Sequence, residues 1–453
     1  MRKVAFVLAC LACAGHGRRT RNSLEREQSD LGAEMQKAAP TSELRALGRV
    51  LESLKTAPAF NPSTSGALLH KGKHLRCTRT GELGPIMALK TGIVGMPNVG
   101  KSTLFNALMQ ESKAQAANFP FCTIDPNEGR IGVPDSRLDK LAEINLSEKK
   151  VPTSLTFVDI AGLVAGASKG EGLGNKFLAN IRECDAIIHV ARCFVDDDVI
   201  HVDGSVDPVR DIATISTELA LSDLAQVERR LEKIPSEIRK GVEGAKEEEE
   251  VLKKLLAKLD EGEAARQAGL TDEEMERVQK LQLLTAKPII YATNVADADL
   301  ASGNEMVNKV KELAKSEGAG VVVVSAQVES ELVDLDEAER KNFLAELGVE
   351  GGLSGLDKLI VEVYSLLGLR TYFTSGPTES RAWTIKKGML APQAAGVIHS
   401  DFEKGFIRAE TVAYDDYEKY NGEKGAKDAG VYRSEGKEYE VKEGDVILFR
   451  FNV

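Results

Sequence analysis

The sequence feature that most constrains this chain is a glycine-rich segment at residues 95–103, which reads G-M-P-N-V-G-K-S-T. It contains the complete pattern G-x-x-x-x-G-K-[ST]. It follows a short apolar run at 91–94, and the apolar spacing of a helix begins at Leu104. A strand, a glycine-rich loop and a helix in this order form a phosphate-binding loop, the P-loop. The segment therefore predicts a phosphate site on a parallel sheet rather than a chance glycine-rich turn.

Each part of this loop has its own physical task. The glycines allow backbone N–H groups to turn toward the phosphates, and the N-terminus of the following helix adds positive potential. Lys101 reaches the outer phosphates, and the Ser102 hydroxyl can bind Mg²⁺. The predicted nucleotide contacts in the loop are Asn98, Val99, Gly100, Lys101, Ser102 and Thr103.

Two shorter motifs follow the loop in the order that such a fold requires. An apolar strand at 155–158 ends in D-I-A-G, in which Asp159 can hold Mg²⁺ through water and the Gly162 N–H can meet the γ-phosphate. Thr123, in the string F-P-F-C-T, is the expected second hydroxyl ligand of that ion. Further strands are predicted at 186–190, 288–292 and 321–324. This order of elements predicts a Ras-like parallel sheet in an α/β fold.

The segment that recognises the base departs from the guanine-specific pattern N-K-x-D. Residues 294–297 read N-V-A-D, so both polar ends remain, but Val295 replaces the lysine that stacks over the base. Asp297 keeps a carboxylate that can accept hydrogen bonds from guanine. Both ATP and GTP therefore stay open as substrates. The predicted base-pocket residues are Asn294, Val295 and Asp297, with Ser325, Ala326 and Gln327 closing the other side.

The region from 207 to 287 has a composition of its own. It is charged and has apolar residues at spacings of three and four, and this pattern breaks near 241–244. Such a pattern predicts an antiparallel helical hairpin inserted into the sheet domain. A solvated arm with only structural value is the plainer interpretation, and a lever or partner surface is the alternative.

The C-terminal region changes to short apolar alternations with glycine turns after residue 369. This pattern predicts a small β-rich domain. Its predicted strands lie at 382–385, 407–410, 439–441 and 446–451. Its basic residues Lys386, Lys387, Lys404 and Arg408 could contact RNA phosphate. Acidic residues lie among these cations, so the binding should be weak and salt-sensitive.

The string D-I-A-G-L-V-A-G-A-S-K-G-E-G-L-G-N at 159–175 resembles the YchF/Obg-like ATPase family. So do N-F-P-F-C-T at 118–123 and R-A-W-T-I at 381–385, and the resemblance extends over residues 87–453. It is closest to the bacterial or organellar branch of the family. It implies a nucleotide-binding domain at 89–370, an inserted helical coiled-coil hairpin at about 207–287 and a TGS domain at 371–453.

The resemblance also implies how water is positioned and which cations assist. Leu163 stands where many GTPases have a glutamine that orients the attacking water, and leucine has no hydrogen-bonding group. His189, in I-I-H-V-A-R-C, is the implied catalytic substitute, with a satisfied histidine at a strand end as the alternative. Asn98 matches the position that binds K⁺ in potassium-activated relatives, with a loop-capping amide as the alternative.

The function implied by the resemblance is a magnesium-dependent ATPase that docks on ribosomes or the large ribosomal subunit. Members usually carry glutamate where this chain has Asp297, so a true GTPase stays open. Leu163 favours a third possibility, a slow nucleotide-dependent binding switch. The net charge of −11 argues against a nonspecific nucleic-acid coat, because phosphate binding needs clustered lysine and arginine.

The first 88 residues lie outside the resemblance. A basic start at 1–3, an apolar run at 4–14 and small residues near Gly15 have the layout of a signal peptide, too short for a stable bilayer anchor. The following residues are rich in arginine, lysine and serine, as in a transit-like segment. Such a leader directs a protein to a plastid of secondary origin or another organelle. The alternative is a start at Met87 and a cytoplasmic protein.

A fluorescent protein fused behind residues 1–88 should therefore enter an organelle, because these residues carry the targeting pattern. A matched fusion to residues 87–453 should stay in the cytosol. Microscopy of both fusions in the same cells makes the comparison. Identical cytosolic distributions would refute the targeting hypothesis.

Overall fold

The computed structural model describes residues 89–115, 127–160, 173–196, 199, 201 and 204–452. The first seven strands are β1 (Lys90–Gly95), β2 (Glu128–Gly132), β3 (Lys149–Val151), β4 (Ser154–Asp159), β5 (Ala186–Arg192), β6 (Ile289–Asn294) and β7 (Gly320–Val324). All of these except β3 form sheet A, in the order β2-β4-β1-β5-β6-β7. The pairings are parallel apart from that of β2 with β4. The predicted Ras-like α/β sheet is confirmed, with one antiparallel edge strand.

Helices cover both faces of sheet A, which explains why every residue of β5 and β6 is buried. The helices of this half of the chain are α1 (Lys101–Gln115), α2 (Ser136–Asn145), α3 (Leu173–Arg182), α4 (Pro208–Arg239), α5 (Ala245–Asp260), α6 (Asp272–Val278), α7 (Glu305–Glu317), α8 (Ala326–Leu332), α9 (Glu337–Glu346) and α10 (Gly355–Leu366). The sequence pattern does not predict β2, because E-G-R-I-G has two glycines and one large apolar residue.

The insertion is the predicted hairpin, formed by α4 and α5 packed against each other. The Asp207 side chain caps the start of α4 by accepting from the N–H groups of Val209 and Arg210. Gly241 and Gly244 have φ values of 73° and 78°, which only glycine adopts without strain, and they form the turn. The hairpin has its own apolar core, which includes Val227, Ile234, Val251, Leu252, Leu255 and Leu259.

A buried carboxylate fixes the base of this hairpin. Asp223 is completely buried in α4 and accepts hydrogen bonds from the N–H groups of Leu284 and Thr285, at 2.9 and 2.7 Å. The Thr285 hydroxyl donates to the same carboxylate at 2.7 Å. Burial raises the pKa of Asp223, while these donors favour its ionised form. The hairpin is therefore attached to the segment that leads into β6.

A second six-stranded sheet, sheet B, occupies the C-terminal region. Its own strands are β8 (Leu369–Ser375), β9 (Glu379–Lys386), β10 (Phe406–Ala413), β11 (Arg433–Glu435) and β12 (Asp445–Phe451). Its helices are α11 (Ala391–Ile398), α12 (Ser400–Lys404), α13 (Tyr414–Lys419) and α14 (Glu423–Asp428). The strand predicted at 439–441 is wrong, because it contributes only a single bridge between Leu390 and Glu440. None of the helices in the described ranges is long and apolar enough to cross a membrane.

Strand β3 and helix α2 come from the first half of the chain but pack on sheet B, whose order is β11-β10-β12-β8-β9-β3. One face of the sheet holds Tyr372, Ile385 and Phe449 with the alanines of α11. The other face buries side chains of α2 with side chains of sheet B and α13, among them Leu138, Leu141, Phe373, Val412, Tyr417 and Val446. The C-terminal domain is thus completed by residues that the sequence pattern does not assign to it.

Candidate nucleotide-binding site

The predicted P-loop lies at the carboxyl edge of sheet A, between the end of β1 and the start of α1. Asn98 and Gly100 have left-handed backbone conformations, with φ values of 62° and 92°. A Cβ on Gly100 would lie 2.2 Å from Nδ2 of Asn294, so no larger residue fits there. The glycine of the motif is therefore required both by its own backbone and by its neighbour.

Lys101 is the cation of this loop, and it is only 7% exposed. Its Nζ donates to Oδ1 of Asp159 at 2.8 Å. Asp159 ends β4, which runs parallel to β1, so its carboxylate reaches the same edge of the sheet. The predicted phosphate-binding lysine and the predicted magnesium-associated aspartate therefore lie in direct contact. Ser102 and Thr103 are exposed in the first turn of α1.

Asn294 links the phosphate and base segments of the site. It is 3% exposed at the end of β6. Its Nδ2 donates to the carbonyl of Val99 in the P-loop at 2.9 Å, and its Oδ1 accepts from the N–H of Ala326 at 2.9 Å. This amide therefore acts as a brace between two loops rather than as a free group for the base.

The other residues predicted to contact the base have different surroundings. The Ser325 hydroxyl donates to Oδ1 of Asp297 at 2.8 Å, so these two residues lie together as predicted from their segments. Gln327 is exposed and donates to Glu331 at 3.3 Å. Val295 is only 2% exposed and belongs to the apolar core, and its N–H donates to the carbonyl of Val324. The side chain and the N–H of Val295 are therefore engaged within the protein, and its predicted contact with the nucleotide stays a prediction that involves its carbonyl.

A cavity of about 440 Å³ borders the base segment through Ala296. Sequence reasoning missed its lining residues, which are Phe194, Val195, Ala296, Asp299, Asn304, Glu305, Met306 and Lys309. An aromatic ring, aliphatic groups and a few polar side chains suit a planar ligand such as a purine. The available signal was the position of Phe194, two residues after the end of β5.

His189 lies inside β5, which continues to Arg192, so the prediction that it ends the strand is wrong. Its neighbour Val190 is in register with Ala292. Ala292 and Asn294 lie two residues apart, so they share one face of sheet A. From that face the Asn294 side chain contacts the P-loop. Side chains alternate along a strand, so His189 points to the opposite face. There its ring lies 5.7 Å from that of Tyr291.

The surroundings of His189 keep it neutral. It is 1% exposed, and burial lowers its pKa from 6.5 to about 3, with a further contribution from Arg266. A packing role explains this position, and the face that it occupies gives it no access to the P-loop. The predicted water-orienting role of His189 is therefore corrected.

A different histidine lies at the carboxyl edge of sheet A. His201 is in the segment between β5 and α4, and its Nε2 is 2.8 Å from Oδ2 of Asp211. The buried guanidinium of Arg192 organises the same segment by donating to the carbonyls of Phe194, Asp196 and Val199. A carboxylate that holds one imidazole nitrogen fixes the ring orientation and its tautomer. The sequence signal for His201 was its position beyond the strand, rather than within it.

The structure supplies oxygen groups for Mg²⁺ at Ser102 and Asp159, which are the hard ligands that this ion prefers. Thr123, Gly162 and Leu163 lie outside the described residues. Asn98 adopts the left-handed conformation stated above, and its assignment as a K⁺ ligand stays a prediction. A P-loop, a paired lysine and aspartate, and a braced base segment together define a P-loop nucleoside triphosphatase.

Comparisons with known proteins identify the family. Residues 90–223 match the family model described as "50S ribosome-binding GTPase". Residues 369–452 match the model YchF-GTPase_C, described as "Protein of unknown function (DUF933)".

Relatives that match most of the chain indicate the same family. The chain is 56% identical over 369 residues to the ribosome-binding ATPase YchF of Bacillus subtilis, covering 81% of this chain and 100% of that protein. It is 46% identical to Obg-like ATPase 1 of Gallus gallus, covering 81% of this chain and 93% of that protein. The solved structure of the Schizosaccharomyces pombe YchF GTPase matches with a TM-score of 0.72 and 41% identity, covering 80% of this chain and 98% of that one. The chain belongs to the YchF/Obg-like ATPase family.

The two histidines form a matched pair for mutagenesis. His189→Ala should lower the free energy of unfolding by about 2–4 kcal/mol, as for other large buried side chains, and leave turnover per folded molecule nearly unchanged. His201→Ala should lower ATP turnover by about 100-fold or more if its imidazole orients water, with little change in ATP affinity. Denaturant unfolding and steady-state hydrolysis measure the two effects. Loss of turnover in the His189 variant with unchanged stability would contradict this assignment.

The burial of His189 also makes the stability of the protein depend on pH. The pKa of His189 is about 3 in the folded chain, and its ordinary value is 6.5. Between these pH values the imidazole binds a proton in the unfolded chain but not in the folded chain. The contribution of His189 to stability is therefore complete above pH 6.5 and decreases as the pH falls toward 3. The His189→Phe variant should lack this component of acid sensitivity.

Proposed function

We propose that this protein is a magnesium-dependent ATPase that binds ribosomes. The contact between Lys101 and Asp159 at the carboxyl edge of sheet A is the observation that carries the enzymatic part. The names of the relatives from Bacillus subtilis and Gallus gallus support ATP as the nucleotide, and the former supports the ribosome as partner. The helical hairpin and the C-terminal domain supply the surfaces for such a partner.

Nucleotide binding changes the partners of Lys101 in this proposal. The outer phosphates carry more charge than one carboxylate, so they draw the ammonium group away from Asp159. The Asp159 carboxylate would then be free to hold Mg²⁺ through water, and the Ser102 hydroxyl would be a direct ligand. The ion would supply positive charge beside the phosphates. Asn98, in the same loop, is our candidate ligand for a K⁺ ion with a similar electrostatic effect.

The base preference that we propose is ATP over GTP, by a modest margin. The lysine of the guanine-specific pattern is replaced by Val295, whose side chain is buried in the core. The Asp297 carboxylate is the feature that would favour guanine, but Ser325 already donates to one of its oxygens. The cavity at Phe194 offers apolar and aromatic contacts that do not distinguish the exocyclic groups of a purine.

The ribosome contact that we propose includes RNA, through the C-terminal domain. Lys386, Lys387 and Lys404 are exposed there and can reach phosphates. Arg408 donates to Glu410 at 2.8 Å, so part of its charge is already neutralised. This distribution supports weak contacts that depend on salt, within a larger docking surface. Organellar delivery remains a further proposal, and residues 1–88 on which it rests lie outside the described part of the chain.

Competition against a fluorescent ATP analogue tests the base preference. ATP should displace the probe at lower concentration than GTP, because Val295 provides no stacking cation for guanine. Asp297→Asn should weaken GTP binding more than ATP binding, since the carboxylate that accepts from guanine is lost. Asp428→Asn is the matched control, since it makes the same chemical change at an exposed residue of α14 in the C-terminal domain. Stronger displacement by GTP than by ATP would contradict the ATPase assignment and favour a GTPase.

A further inference from the structure

Strands β2 and β4 form a two-stranded ladder that starts at the nucleotide site. At that end, the N–H of Asp159 donates to the carbonyl of Asn127 at 3.0 Å, while the Asp159 side chain holds Lys101. The register continues from Glu128 opposite Val158 to Gly132 opposite Ser154. The N–H of Val133 then donates to the carbonyl of Thr153 at 2.8 Å. The chain therefore leaves and re-enters sheet A at one paired position.

Between these paired ends lie residues 134–152, which we call the docking segment; it contains α2 and β3. Its strand pairs in parallel with β9, with Lys149 opposite Glu379 and Val151 opposite Arg381. Next to this pairing, the N–H of Glu148 donates to the carbonyl of Pro377 at 3.0 Å. The docking segment is thus a structural part of sheet B.

Side chains of the docking segment extend these contacts. Nδ2 of Asn145 donates to Oγ of Ser375 at 2.7 Å, and the Asn145 oxygen accepts from the Tyr417 hydroxyl at 3.1 Å. The Ser147 hydroxyl donates to the carbonyl of Gly376 at 2.7 Å. These bonds reach β8, α13 and the turn before β9, so the segment is held from several sides.

Arg137 anchors the start of α2. Its guanidinium donates to Asp135 at 2.7 Å and to Glu443 at 2.5 Å, and it lies 5.1 Å from the ring centroid of Phe373. Glu443 in turn accepts from the N–H of Thr371 in β8 at 2.8 Å. One arginine therefore connects the docking segment to two elements of the C-terminal domain.

We propose that the β2–β4 ladder and the docking segment transmit the nucleotide state at Lys101 and Asp159 to the C-terminal domain. This regulation rests on the proposed function, because binding of a triphosphate must change the contact between these two residues. Paired strands with packed ends move as units, so a displacement at Asp159 is carried to β3 and then to β9. By linkage, a partner that binds one arrangement of the C-terminal domain changes ATP affinity by the same factor.

The chain offers an intrinsic reporter at the receiving end. Trp383 is its one tryptophan and lies in β9. Nε1 of Trp383 donates to Oγ1 of Thr374 at 2.9 Å, and the guanidinium of Arg381 lies 4.7 Å from the centroid of the Trp383 ring. Arg381 is the residue that pairs with Val151 of the docking segment. Tryptophan emission should therefore respond when β3 shifts.

The experiment measures emission and hydrogen exchange of the full chain with ADP and with a nonhydrolysable ATP analogue. The wild type should show different emission and different exchange at 369–386 in the two nucleotides. The double variant Arg137→Ala/Asn145→Ala should lose most of that difference while its ATP affinity, measured by calorimetry, stays near wild type. Ser147→Ala is a milder variant that should lose part of it. Arg370→Ala is the matched control, because the guanidinium of Arg370 pairs with Glu440, outside the docking segment, at 3.0 Å.

Two outcomes would overturn the proposal. One is a wild-type protein that binds the ATP analogue without any change in emission or exchange in the C-terminal domain. The other is a double variant, or a Ser147→Ala variant, that keeps the full nucleotide response. Absence of ATP binding by the wild type would instead contradict the proposed function, and calorimetry distinguishes that case.

Discussion

The amide of Asn294 joins the two loops on which the site depends. It is buried, donates to the Val99 carbonyl and accepts from the Ala326 N–H. A buried polar group without its partner costs about 1–3 kcal/mol, so each of these bonds constrains the loop that it contacts. The same side chain approaches Gly100 so closely that the P-loop must have glycine there. The P-loop and the segment predicted to hold the base are therefore positioned by one residue at the end of β6.

The two sheets are connected by the docking segment as well as by the chain that runs from α10 into β8. Residues 134–152 leave sheet A between β2 and β4 and supply both a strand and a helix to the C-terminal domain. A tandem arrangement of independent domains would give the C-terminal surfaces no direct mechanical connection to Asp159. The observed arrangement places Asp159 and the C-terminal domain at opposite ends of one paired ladder.

Motifs with backbone requirements were the most predictable from the sequence. The P-loop is specified by glycine spacing, and the hairpin by helical periodicity broken at Gly241 and Gly244. Strands β2 and β3 are not predictable in this way, because short edge strands are selected by their tertiary partners rather than by their own pattern.

The site was harder to predict, for related reasons. An apolar run shows that a strand exists but not where it ends, so His189 was placed at an edge that is actually occupied by Arg192. Arg192 can be buried because three carbonyls of the following segment accept hydrogen bonds from its guanidinium. Similarly, the motif position of Val295 gives no sign that its side chain joins the core.

The most direct test of the ATPase assignment is the effect of Lys101→Ala on ATP turnover and on the affinities for ATP and ADP. Lys90→Ala is the matched control, since that lysine lies at the start of β1, at the opposite end of the strand from the P-loop, and pairs with Glu128. The account predicts that the Lys101 variant loses hydrolysis and that its affinity falls far more for the triphosphate than for the diphosphate. The Lys90 variant should keep both. Unchanged turnover in a folded Lys101→Ala protein would contradict the account.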